Sequence, residues 1–211
     1  MDLTVIQKIV IYALPVIFAI TVHEAAHGYA AKHFGDMTAF NAGRITLNPL
    51  KHIDPFGTIL LPALTIMLGG ILFGWAKPVP VDFRRLRNPK KDMLWVAAAG
   101  PASNFAMAIF WVLLMKFSVN VPEVFALPMA LMAKAGVSIN IVLMVLNLLP
   151  LPPLDGGRIA VSLLPMRLAR PFAQIERYGF IILIVLLFSG VLSRILEPLI
   201  NLVYALIAAI F

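Results

Sequence analysis

Residues 18–33 read Phe-Ala-Ile-Thr-Val-His-Glu-Ala-Ala-His-Gly-Tyr-Ala-Ala-Lys-His, and the five at their centre, His23-Glu24-Ala25-Ala26-His27, decide how the chain is read. The run around them, about 5–31, is apolar and exceeds the ~20 residues a bilayer-crossing helix needs. In a helix, positions i and i+4 share a face one turn apart. His23 and His27 can therefore reach one zinc ion, and Glu24 can reach a water on it without being a ligand. Zinc lowers the pKa of such a water to about 7, so Glu24 is a candidate general base. Ionisable residues inside a spanning helix cost about 2.5 kcal/mol or more each and mark functional sites. The competing reading is a polar pocket that merely joins helices. Lys32 is the first charge after the motif, roughly 13 Å from His23 at the helical rise. A metal ion there would be submerged, with water reaching it from that end.

Composition agrees with lipid as the solvent. The chain has 211 residues, 61% hydrophobic and 13% charged, where soluble domains average about 25% charged. Mean hydropathy is +0.94. The net charge of +7 fits basic loops held on the cytoplasmic side, and no nucleic-acid motif accompanies it. There are no cysteines, which excludes disulfides and thiolate metal sites. The apolar run from Leu3 to Ala31 is too long for a signal peptide core and carries the motif, so it is expected to be retained.

The pattern predicts an all-α polytopic membrane protein, one membrane-embedded domain over 1–211, with about five transmembrane helices. These are 5–31, 93–116, 126–149, and a C-terminal helical hairpin, 177–192 and 195–211, parted at Ser189-Gly190. Segment 56–75 is apolar but broken by Pro62 and Gly69-Gly70; it either crosses or re-enters. The stretches 43–48 and 78–83 are expected as short membrane-edge strands. The basic cluster Arg84, Arg85, Arg87, Lys90 and Lys91 suits anionic lipid headgroups.

A catalytic zinc usually takes three protein ligands and a water. His33 and His52 are the other histidines, near the membrane surface and in a loop. Asp155 is the stronger candidate. It follows Asn147-Leu-Leu-Pro150-Leu-Pro152-Pro153-Leu154 and precedes Gly156-Gly157, so prolines end the helix and glycines permit a tight backbone path. A plain span-ending turn would use the same composition.

With Asp155 on the page the motifs become recognisable together. His23-Glu24-Ala-Ala-His27, Gly100-Pro101-Ala-Ser-Asn104 and Asn147-x-x-Pro150-x-x-Pro153-Leu154-Asp155-Gly156-Gly157, in that order, resemble the site-2 protease family of intramembrane zinc metalloproteases. The resemblance covers about 18–160, within a catalytic core of about 5–160. It implies one zinc per chain on His23, His27 and Asp155, Glu24 as catalytic base, and Asn147 positioning the substrate strand. Asn104 is similar to a family position near the site; a helix-packing hydrogen bond would explain it as well. The implied substrates are transmembrane proteins or peptides. The chain shows no PDZ-like insertion, which puts substrate selection by such a domain in doubt.

The motifs must meet, and this constrains topology. If 56–75 crosses, the first span and 93–116 run the same way, and Asp155 falls on the wrong side. If it re-enters, all three motifs lie in the cytoplasmic half with the N-terminus outside. That arrangement also keeps every Lys and Arg except Lys8, Lys116, Lys134 and Arg194 inside, more than the crossing alternative does. An unwound substrate could add as a strand to an edge at 43–48 or 78–83. The rival readings are a metal or ion transporter and a non-catalytic scaffold of the same fold. The first needs polar residues along a path to both faces, and the second has no use for Glu24.

Overall fold

In a computed structural model of the chain, residues 4–60 and 76–211 are described. Helix α1 spans Val5–His33 and opens with a reciprocal cap: Gln7 N donates to Thr4 Oγ1 and Thr4 N to the Gln7 side chain. Helix α2 spans Pro89–Phe117. Proline suits its first position, where no intrahelical donor is needed, and the buried Asp92 accepts the amide of Asn88 at 2.7 Å. Helix α3 spans Glu123–Asn147. It is followed by α4 (Asp155–Leu163), α5 (Met166–Ala173), α6 (Glu176–Phe188) and α7 (Val191–Ile210).

Four helical stretches are long and apolar enough to span a membrane, at 9–33, 89–120, 123–147 and 191–210; α5 and α6 make a fifth if their pair, bent by 63°, is one span. Four of the five expected spans are therefore present, and the one expected at 177–192 falls within that bent pair. The amphipathic helices α4 and α5 were not among the expected elements.

Pairings between helices fix their directions. His27 meets Val96 and His23 meets Asn104, so α1 and α2 are antiparallel. Asn104 meets Asn140 and Trp111 covers Gly136, so α2 and α3 are antiparallel too. Their core is built from Ala108, Trp111, Val112, Ala133, Val137 and Ile141, joined by Ile207 of α7. Large apolar side chains face outward instead, among them Ile9, Phe18, Phe110, Phe125, Val185 and Phe188. Such a surface is untenable in water and ordinary in lipid. With histidines, asparagines and aspartates inside, this is a multi-pass integral membrane protein.

The chain leaves α1 and enters α2 at one end of the bundle. Arg87 N donates to Phe34 O at 3.0 Å, and Asp82 N to the fully buried carboxylate of Asp36 at 2.7 Å. Segment 56–75, expected to re-enter, lies mostly outside the described residues, which include only the wide helical turn Pro55–Leu60. Its flanks are joined directly: Lys77 N donates to His52 O at 2.9 Å.

The edge strands did not form. No strand occurs among the described residues, and 43–48 and 76–82 are irregular. Pro78 and Pro80 have no amide to offer a ladder. Side chains take the remaining groups: Val79 N donates to Glu24, Asp82 N to Asp36, and the Arg44 guanidinium bonds the carbonyls of Lys77 and Pro78.

Candidate metal centre

The three expected ligands meet. His23 and His27 project from one face of α1, and Asp155 is the first residue of α4. Asp155 reaches them because the chain turns sharply after α3, at Leu148–Leu154. The two glycines that follow lie hard against that turn: a Cβ on Gly156 would stand 2.3 Å from the carbonyl oxygens of Leu148 and Leu149, and one on Gly157 2.3 Å from Pro152 N. Any side chain there would push α4, and Asp155 with it, out of position.

All three side chains are buried. The two Nε2 atoms lie 3.1 Å apart, and Asp155 Oδ2 is 3.3 Å from each. Zinc bonds of about 2.0 Å with tetrahedral angles separate ligand atoms by about 3.3 Å, so the spacing fits that ion.

The protons point to the same conclusion. His27 Nδ1 faces the carbonyl of Val96 at 2.7 Å. A carbonyl can only accept, so this nitrogen carries the hydrogen. His23 Nδ1 faces Asn104 Oδ1 at 2.6 Å. The Asn104 amide cannot be reversed without loss, since its nitrogen donates to Asn140 Oδ1 at 2.9 Å and Ala19 O at 3.3 Å. His23 therefore also carries its hydrogen on Nδ1. In the neutral imidazoles both Nε2 atoms are then left with bare lone pairs, converging on a buried carboxylate oxygen, Asp155 Oδ2. Three acceptors and no donor repel one another unless a cation lies among them.

The other expected residues sort themselves. Glu24 is half-buried, and its Oε2 accepts the amide of Val79 at 2.7 Å. Asn104 is completely buried and holds His23. Asn147 donates back to Leu143 O at 2.9 Å and touches none of the three ligands; its other polar valences have no partner among the described residues. His52 is buried against Thr46 O, and His33 stacks edgewise on Phe34 at the surface; neither belongs to the cluster, which is the one such group among the described residues. Two contributors escaped sequence reasoning, Asn140 and the carbonyl of Val96, and Gly100 was quoted within a motif without a role of its own. An asparagine amid Ile139 and Ile141 was a legible signal; the Val96 carbonyl carries none.

A helical membrane bundle with two histidines and an aspartate converging in its interior defines a membrane metalloprotein. Similarity to known proteins narrows the class. The model of Peptidase family M50 matches residues 124–190. The chain is 41% identical over 192 residues to "Putative zinc metalloprotease YwhC" of Bacillus subtilis (strain 168), covering 89% of this chain and 84% of that relative. It is 34% identical over 184 residues to "Putative zinc metalloprotease Rip2" of Mycolicibacterium smegmatis, covering 84% of this chain and 66% of the relative. No solved structure matches. The chain belongs to peptidase family M50, the site-2 protease family of zinc metalloproteases.

Proposed function

We propose that this metalloprotease hydrolyses peptide bonds of membrane-spanning segments inside the bilayer, with zinc on His23, His27 and Asp155 and with Glu24 as general base. One observation carries the reading: three buried side chains that can each offer a ligand atom, His23, His27 and Asp155, converge within a spanning bundle, with Glu24 next in sequence to the first. Bound zinc would polarise the scissile carbonyl and acidify water at the site.

The chain's own residues supply the rest. Glu24 accepts a proton from water and returns it to the leaving amine. The Val79 amide orients its carboxylate for that transfer. Asn147, at the end of α3, has a spare amide hydrogen and a carbonyl oxygen for an unwound substrate backbone. The hydrogen bond between Lys77 N and His52 O supports a topology in which both flanks of segment 56–75 lie at one face. The positive-inside tendency supports placing that face, and the metal, on the cytoplasmic side with the N-terminus outside.

The test uses the purified full chain in vesicles with a single-span model peptide as probe. Wild type is expected to cut within the apolar stretch, and Glu24→Gln to keep zinc while losing turnover by on the order of 100-fold or more. Cutting at wild-type rate by Glu24→Gln would remove the general base. Cuts confined to soluble tails would remove the intramembrane reading.

A further inference from the structure

Asn140 sits in the middle of α3 with no exposed surface. A primary amide at that depth is costly unless its groups are occupied, and here they are. Its Nδ2 donates to Gly136 O at 2.8 Å, one turn back on its own helix. Its Oδ1 accepts Asn104 Nδ2 at 2.9 Å. Asn104 in turn accepts His23 Nδ1 at 2.6 Å. A single file of hydrogen bonds thus runs from the backbone of α3, through two amides, to an imidazole of α1. Every donor in it has one assigned direction, because the carbonyl of Gly136 at its far end can only accept.

From this we infer that Asn140 is a positioning residue of the metal centre, acting through Asn104 on His23. The inference rests on the reading of His23 as a zinc ligand. The amide of Asn104 has two orientations of nearly equal shape. In one its oxygen faces His23 Nδ1; in the other its NH2 does. The second would force the hydrogen of His23 onto Nε2, where the lone pair is needed. Asn140 Oδ1 selects the first, since it can pair only with the NH2 group. The contact of the same NH2 with Ala19 O is longer, at 3.3 Å, and is the weaker restraint. Asn140 thus sets the proton of a ligand it does not touch. Outer partners of metal-bound histidines act in this way elsewhere, and their loss lowers metal affinity about 10–100-fold.

Zinc affinity, read by chelator competition on the detergent-purified full chain, tests the inference without reference to catalysis. Asn140→Ser is the main variant. A serine can still bond the carbonyl four residues back, so α3 keeps its internal contact, but it is too short to reach Asn104. Asn140→Asp, neutral when buried, keeps the acceptor. Asn140→Ser is expected to loosen zinc about 10–100-fold, and Asn140→Asp to stay close to wild type. The double variant Asn104→Ala/Asn140→Ser should bind no more weakly than Asn104→Ala alone, because residues in one network do not add. Wild-type affinity in Asn140→Ser, or losses that add in the double variant, would overturn the inference. So would a lowered melting temperature with zinc affinity unchanged, which is the mark of a packing role. Full zinc retention by His23→Ala would instead bring down the ligand assignment, and this inference with it.

Discussion

A Cβ placed on Gly100 would lie 2.4 Å from Nε2 of His27 and 2.6 Å from Cε1 of His23. The backbone of α2 thus forms the wall behind the metal-facing edge of both rings. Gly100→Ala puts a methyl group where the rings must be. Overpacking of this kind costs about 1–3 kcal/mol. Taken up by the ligands, that corresponds to about 5–150-fold in zinc affinity. Chelator competition on Gly100→Ala is expected to show a loss in that range while helical content holds. Unchanged affinity would mean that α2 can recede.

Asp155 and His52 are both buried, yet only Asp155 faces the histidines. Asp155→Ala should weaken zinc by more than the ~100-fold upper range for losing an outer partner, and His52→Ala should leave it at wild type. The reverse pattern would move the third ligand to the loop.

Val79 is expected to act through its amide alone. A hydrogen bond to a charged group contributes about 1.5–3 kcal/mol. Val79→Pro removes that donor, and kcat should fall on the order of tenfold or more while KM and zinc content hold. Val79→Ala keeps the amide and should retain kcat. Equal losses in the two variants would assign the effect to the buried side chain.

The chain has no cysteine of its own, so single cysteines report topology cleanly. Asn41 and Asn120 are exposed at opposite ends of the bundle. In oriented cells, Asn41→Cys should react only with reagents that reach the cytoplasm, and Asn120→Cys with impermeant reagents from outside. The opposite result would invert the molecule.

The cluster of His23, His27 and Asp155 was legible because its chemistry is local. His23 and His27 share a helix face by spacing alone, and Asp155 is flagged by the prolines and glycines around it. The spans were legible because twenty apolar residues in a row have few other uses. The strands were not, because neither the alternation at 44–47 nor the proline-restricted backbone at 78–83 says anything about donors, and Pro78 and Pro80 supply none. Asn140 was overlooked because one amide in a span looks the same whether it joins two helices or steers a ligand. Only its partners distinguish those roles, and they lie 36 residues away at Asn104 and, beyond it, at His23.

Helix α2 gives no atom to the cluster of His23, His27 and Asp155, yet it receives the Nδ1 hydrogen of both histidines, at Asn104 and Val96. Ring tilt and basicity are therefore influenced from a neighbouring helix. Divalent ions differ in preferred geometry as much as in intrinsic affinity. Substitutions along α2 thus offer a way to retune the protein from zinc toward cobalt or cadmium with His23, His27 and Asp155 left untouched.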